Sequence, residues 1–469
     1  MQIKTSRIII ILVATAFFME FLDATAITTA LPQMAASFNT DSGSMSLGIT
    51  AYMMALAVFI PVSGWVADRF GMRSVFLSAV TGFIISSVLC SFSQNLTQFT
   101  VARILQGIAG AMMVPVGRLA VLRTCRKSEL VNAIAYITWP GLVAPIIGPP
   151  LGGFLTTYFS WQWIFYLNIP FGLLVAFCTY KYMPNESSEE KRALDIPGFL
   201  LSGGALAGIM YSLELLGSGK HEYMLAIILL LISLFMLKLN SSHALRSNNP
   251  LIDYSVLHIR TYSVTIFYGA LSMMVIGAAP FLLPLMFQEG LGMNPFESGL
   301  IFLALMTGNL VIKPATIWIT HRWGFKYVLI VNCTLLSIST AVCALFTPDT
   351  SHFFIIFNLF LMGCFRSMQF SSLNTLAFAD VPARQMSSAN TLFSTMQQVS
   401  AGMGIALGAL VLRLSGLINN ETGGTTLDNY RETLFVIGIF GFLSLIGFIL
   451  SLIQISEPTR RTPISYAVF

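Results

Sequence analysis

Charge is what this sequence has least of: Asp, Glu, Lys and Arg make up 10% of its 469 residues, and histidine occurs only 5 times. Soluble globular chains carry roughly a quarter charged residues, so a soluble enzyme is excluded. There is no Walker loop, nucleophile elbow or histidine-rich tract, which speaks against ATP hydrolysis and against enzymatic chemistry in this chain. The six cysteines (Cys90, Cys125, Cys178, Cys333, Cys343, Cys364) have neither paired nor metal-ligand spacing. Neither disulfide, metal nor cofactor is expected. The net charge of +5 comes from dispersed cations, which argues against a nucleic-acid partner.

What the chain has instead is apolar length, with 55% hydrophobic residues and a mean hydropathy of +0.78. A spanning helix needs roughly 20 apolar residues. Such stretches run over Ile8 to Leu31, Ser46 to Ala67, Ser74 to Ser93, Phe99 to Leu122, Val131 to Thr156 and Trp163 to Met183. Two more follow at Ile196 to Leu216 and at Tyr223 to Leu239, the shortest. The last six are Tyr262 to Gln288, Ser298 to Ile319, Tyr327 to Phe346, Phe353 to Phe378, Ala389 to Leu414 and Thr433 to Ile455. The expected fold is an all-α polytopic membrane protein of fourteen helices. The first stretch is too long for a signal peptide's apolar region, contains Glu20 and Asp23 and lacks a cleavage site, so it is read as helix one.

Hydrophilic connections at Pro184 to Asp195 and Asn240 to Arg260 bracket the seventh and eighth stretches. The expected division is a six-helix bundle over 1–183, linkers with an inserted pair over 184–260, a second six-helix bundle over 261–457, and a tail over 458–469. A weak repeat supports duplication: Asp68-Arg69-Phe70-Gly71-Met72-Arg73 is echoed by His321-Arg322-Trp323-Gly324-Phe325-Lys326. With both termini placed inside, most cations fall on inner connections, among them Arg69, Arg73, Arg123, Lys181, Arg260, Arg322 and Lys326; Lys220, Arg413 and Arg431 lie near the outer side. This bias predicts a multi-pass protein of the bacterial inner membrane with cytoplasmic termini.

Charges inside spans are costly and point to function. Glu20 and Asp23, three residues apart, are expected on one face of helix one, for proton coupling or substrate contact, with a structural ion pair as the alternative for Asp23. Helix four carries Arg103, expected near its outer end, and Arg118, expected deeper and near the partners of Asp23; each could instead merely neutralise a carboxylate. Helix five contains Pro145 and the run Gly148-Pro149-Pro150-Leu151-Gly152-Gly153. Such a density of breakers suits a seal or hinge, or a simple packing kink.

Together, Leu22-Asp23-Ala24-Thr25, the Gly64 to Arg73 loop, Arg103-Ile104-Leu105-Gln106-Gly107, the Gly148 to Gly153 run and Trp161 to Gly172 resemble the fourteen-helix drug:proton antiporters of the major facilitator superfamily. The likeness is to the EmrB/QacA type, near its MdtD-like branch. It implies that Gly64, Asp68, Arg69, Gly71 and Arg73 form a conformational latch between helices two and three. It also implies that Arg103 belongs to a proton-transfer motif, and that Pro145, Gly148, Pro149, Gly152 and Gly153 form the antiporter motif. Asp23 falls on the family's acidic position in helix one. His321 departs from the pattern by replacing the acid of the second loop.

If helices one, four, nine and twelve line a cavity, as the resemblance implies, Glu20 and Asp23 face Arg118 and Arg366 across it. Gln369, Asn358 and Gln288 are further lining candidates, with interhelical bonding as the alternative for each. The expected function is a secondary active transporter: a proton-coupled antiporter exporting drug-like compounds, organic anions or zwitterionic metabolites. Its partners would be a small-molecule substrate, protons and membrane lipids, the chain acting as a monomer with any periplasmic adaptor open. Proton-coupled uptake by symport and a non-transporting sensor or scaffold are the alternatives.

Overall fold

The computed structural model describes residues 2–125, 130–185, 193–217, 222–247, 250–382, 385–419 and 426–452. The charge run Glu186, Glu189, Glu190, Lys191 and Arg192 and the tail 458–469 lie outside the described residues. Among these residues the secondary structure is helical, without a strand.

Among the described residues, thirteen helices are long and apolar enough to cross a membrane. They are α1 (Arg7–Thr29), α2 (Ser46–Phe70), α3 (Met72–Ser91), α4 (Leu96–Thr124), α6 (Trp163–Tyr182), α7 (Ile196–Leu216), α8 (Tyr223–Arg246), α9 (Arg260–Gly290), α10 (Pro295–Thr316), α11 (Arg322–Leu345), α12 (His352–Ala379), α13 (Ser388–Ile418) and α14 (Leu427–Ile449). Between α4 and α6 runs α5 (Leu130–Tyr158), 29 residues long and carrying Pro140, Pro145, Pro149 and Pro150. At about 1.5 Å per residue it too is long enough to span.

The expected end of α8 at Leu239 falls short, because the helix continues through Asn240 to Arg246. Those last turns are polar, so hydropathy loses them, while their backbone bonds keep them helical. Most apolar side chains of α8, such as Met224, Leu231 and Phe235, are exposed, as suits a lipid-facing surface. Its partner α7 packs against α8 on one side and against α2 and α13 on the other. A small cluster of Ala57, Leu206, Met210 and Val399 fills that junction.

The loops that repeat in sequence also repeat in conformation. Gly71 sits at φ 87°, ψ 141° between α2 and α3, and Gly324 at φ 76°, ψ 158° after α10. This extended, positive-φ geometry is open to glycine alone.

Two large apolar cores hold the bundle together. One lies within the first six helices and includes Val13, Phe17, Phe76, Phe83 and Val116. The other joins the first six helices to the last six, placing Ala30, Leu31, Met34 and Phe38 in one cluster with Phe281, Met286 and Phe302. The second core closes one end of the molecule. Towards the opposite end the two groups of helices separate around a cavity.

Candidate functional site

The cavity holds about 1180 Å³ and is walled by α1, α2 and α4 on one side and by α9, α10, α12 and α13 on the other. It reaches the end of the bundle that carries Asp68, Arg69, Asp195 and Asp253. Within it lie Glu20, Tyr52, the half-buried Arg366 and the exposed Arg118, with the amides Asn309, Gln397 and Gln398. Neither arginine has an anionic partner among the described residues, and Nη1 of Arg366, Oε2 of Glu20 and Nε2 of Gln397 are buried without a hydrogen bond there. A buried polar atom without a partner is a binding position awaiting one.

Asp23 is not in this cavity, contrary to the expectation that it shares a face with Glu20 opposite Arg118 and Arg366. Three residues of helix turn side chains about 60° apart, enough here to put one acid in the cavity and the other behind it. Asp23 is 1% exposed and its Oδ2 accepts from Arg103 Nη1 at 2.7 Å. Its Oδ1 accepts from Gln106 Nε2 at 3.1 Å and from Asn168 Nδ2 at 2.7 Å. Both amides also donate to Ser87 Oγ. A second correction follows: the partner of Asp23 is Arg103, whereas Arg118 stands in the cavity beside neither.

Tyr52 of α2 joins the two compartments. Its ring lies 4.2 Å from the Arg103 guanidinium carbon, a cation–π contact, and its hydroxyl meets the Glu20 carboxyl beside Gly110. Sequence reasoning missed Tyr52, Ser87 and the role of Asn168. Only the position of Asn168 within the Trp161 to Gly172 run offered a signal.

Gln106, Asn168, Ser87 and Asp23 come from α4, α6, α3 and α1. The matching four helices of the last six, α12, α11, α9 and α14, also share a polar cluster: Gln369 Nε2 donates to Ser272 Oγ, which donates to Ser444 Oγ beside Cys333. It is uncharged. Gln369 is therefore an interhelical bond rather than a cavity residue. Asn358 likewise donates from Nδ2 to Ser339 O and Cys343 Sγ, away from the cavity. Arg366 alone of the α12 candidates lines it.

Gln288 lies at the closed end, where Nε2 donates to Thr29 O at 3.0 Å and Oε1 accepts from Gln33 at 3.3 Å. The next residue, Glu289, accepts from Ser42 and from Tyr430. Both belong to a π-helical turn, Met286–Gly290, a feature frequent at functional sites. The helix-five glycines supply the rest of this closure. A methyl on Gly152 would lie 2.2 Å from Ala26 O of α1, one on Gly153 2.2 Å from Pro295 O of α10, and one on Gly299 of α10 2.4 Å from Pro149 O. Thr29 Oγ1 donates to Pro149 O. Of the same motif, Gly148 packs on Thr25 and Pro145 lines the cavity.

At the other end Asp68 accepts from Arg123 Nη2 of α4 at 2.8 Å, both half-exposed. Gly64, Asp68 and Arg69 line the cavity mouth. A methyl on Gly71 would strike Asn185, whose Oδ1 accepts from Ser74. Arg73 has no ion pair among the described residues. Asp195, at the start of α7, accepts from Leu251 N, Gly198 N and His243 Nε2, the last at 2.7 Å. Burial pushes its carboxyl up, but the bonds from Leu251, His243 and Gly198 outweigh it and hold it below the usual carboxylate range.

A helical membrane bundle with a central cavity, closed by apolar packing at one end and lined by charges it leaves unpaired, is the architecture of a solute transporter. The chain belongs to the Major Facilitator Superfamily, whose model matches residues 13–405. It is 37% identical over 403 residues to the putative multidrug resistance protein MdtD of Pectobacterium carotovorum, covering 86% of each chain. With the protein of that name from Escherichia coli O81 it shares 36% over 425 residues, 90% of each. Solved structures of similar fold include an auto-inhibited POT family peptide transporter (TM-score 0.71, 14% identity, covering 97% of this chain and 98% of that one). Another is the xylose transporter XylE from E. coli (TM-score 0.63, 12% identity, covering 98% and 100%).

Proposed function

We propose that the chain exports small organic anions or zwitterions across a bacterial inner membrane in exchange for protons, by alternating access. The carrying observation is the pair of arginines, Arg118 and Arg366, that face one cavity with no carboxylate bonded to either. Guanidinium groups bind carboxylates through paired hydrogen bonds. A dication in the same space would meet two like charges and one acid. Export is supported by the relatives named for multidrug resistance and by the proline–glycine pattern of α5.

The cation bias of the connections puts the cavity mouth, with Arg69 and Arg123, on the cytoplasmic side. The molecule is then open inward, with its outer end closed by the Gln288–Glu289 turn and the α1–α5–α10 contacts. The Asp68 to Arg73 loop, anchored on Arg123, acts as the inner latch. Glu20 is the acid in reach of cavity water, so it is the proton-exchanging group. Asp23 and Arg103 hold the wall behind it, and Tyr52 couples the two. A proton and the ammonium group of a zwitterion then compete for Glu20 while Arg118 holds the carboxylate, which gives exchange, whereas a pure anion would bind better once Glu20 is protonated.

Proteoliposomes test this directly. An organic tricarboxylate or a zwitterionic chelator should drive proton movement, Glu20→Gln should abolish the pH dependence of that flux, and Arg118→Ala should weaken apparent affinity about tenfold, or ~1.4 kcal/mol. Efflux of a dicationic dye with no response to any organic anion would sink the substrate assignment. An unaltered pH dependence in Glu20→Gln would sink the coupling assignment.

A further inference from the structure

The mechanism above leaves one buried acid unused. Glu214 lies near the outer end of α7 and is 4% exposed. Its Oε1 accepts from Ser46 Oγ, at the outer start of α2, at 2.7 Å. Its Oε2 is buried and has no partner among the described residues. Two residues on, the Leu216 carbonyl accepts from Arg413 Nη1 of α13 at 3.4 Å, the long limit of such a bond. Thus the outer end of α7 is tied on one side to the first six helices through Glu214 and on the other to the last six through Leu216.

The groups around Glu214 are few. From α2, the Thr50 hydroxyl faces the same carboxyl, and Tyr52 is turned towards Glu20 and Arg103. From α8, Glu222 and Tyr223 stand at the exposed outer start. From α13 comes Arg413, half-buried and in no ion pair among the described residues. Lys220 and His221, in the connection between α7 and α8, lie outside the described residues.

We propose that Glu214 is a positioning residue that makes closure of the outer side conditional on a proton. Opening that side carries α2 away from α13, and α7, packed on both, must part from one of them. Parting from α2 breaks the Ser46 bond, wets Glu214 and leaves Arg413, on the other neighbour of α7, as a counter-ion for it. The open side therefore holds an ionised Glu214 beside Arg413. Closing it again buries the acid against the hydroxyls of Ser46 and Thr50 with no cation in place among the described residues, and a bare charge inside a span costs several kcal/mol. The outer side closes once a proton has arrived from outside. That proton is taken and returned on the same side, so it adds nothing to the net exchange. It sets the order of steps: proton first, closure second.

This rests on the alternating-access reading, and its test is separable from transport. Met34, fully buried in the core that joins the two groups of helices, is replaced by cysteine in the full chain in vesicles. A membrane-impermeant maleimide then reads outer opening without substrate, as external pH is lowered from mildly alkaline to mildly acidic. With native Glu214, labelling should fall with acid. In Glu214→Gln it should be low and flat, with the proton-to-substrate ratio of transport unchanged. In Arg413→Gln the midpoint should move up by about one pH unit, because the ionised acid loses its counter-ion. A Glu214→Gln curve that tracks the native one, labelling that is high throughout, or a reduced proton ratio would each overturn the proposal. If Glu214→Gln does not fold, the Arg413→Gln midpoint decides, and an unmoved midpoint overturns it. Acid-dependent closure in a chain that carries no organic anion would refute the transport reading alone.

Discussion

Asp23 and Arg103 are both fully buried and 2.7 Å apart, and among the described residues neither has another ion-pair partner. Removing one partner of such a pair costs about 3–5 kcal/mol, while removing both costs less than the sum. Asp23→Asn and Arg103→Gln should each lower the unfolding midpoint of the purified protein sharply, and the double variant should recover part of the loss. Strict additivity in thermal unfolding would contradict the pairing. At the cavity mouth Asp195 behaves differently. Its carboxyl is held below the ordinary range, so the stabilisation it contributes is present above the ordinary carboxylate pKa and is lost only as pH falls through the lower folded value. The contact between α7 and the Leu251 segment should thus persist through mildly acidic pH and loosen earlier in His243→Ala, as read by hydrogen exchange at the Leu251 amide. The acids of α1 were legible as a pair from their spacing. Their separation was not, because a 60° difference straddles the boundary between cavity and wall, and the deciding neighbour, Tyr52, carries no charge to attract attention.

Among elements, α5 shows how a sequence hostile to helix is repaired by its neighbours. Its prolines forfeit backbone bonds, Thr29 donates across to the Pro149 carbonyl, and its glycines let α1 and α10 approach backbone to backbone. Gly153→Val should therefore force α5 and α10 apart at a cost of about 1–3 kcal/mol to the closed end. The expected result is a roughly tenfold or greater rise in labelling at Met34→Cys from outside, with membrane insertion intact. Unchanged labelling would show that the contact is mere packing. The breakers themselves were readable from composition. Which helices they face was not, since glycine contacts are fixed by partners about 120 and more positions away, as for Thr29 with Pro149. The same limit explains Asn358, Gln369 and Gln288: an amide in a span announces a hydrogen bond without saying whether it goes to a cavity or to the next helix. The extent of α8 was missed for the opposite reason, since its last turns are helical but no longer apolar.

For the whole molecule, closure at one end and a cavity towards the other imply that the Gln33–Gln288 contact must break in every cycle. Cysteines at both positions, joined by an oxidant, should hold the outer end shut and stop transport until a reductant is added. Transport that survives the cross-link would show that the two ends do not alternate. The resemblance of the two loops at Gly71 and Gly324 was visible in the sequence and returns as matched backbone geometry, but the charge between the bundles is unevenly shared. The cluster of α1, α3, α4 and α6 holds an ion pair, and its counterpart in α9, α11, α12 and α14 is neutral. That unevenness has an electrical meaning. A carboxylate and a guanidinium locked together move through the membrane field as a unit of zero net charge, and the membrane voltage does no work on them. At about 2.3 kcal/mol per elementary charge per 100 mV, the voltage is then felt through the charges in spans that this pair leaves over, Glu20, Arg118, Arg366, Glu214 and Lys313 among them, and through whatever they hold, so the cargo helps decide whether each turnover carries current.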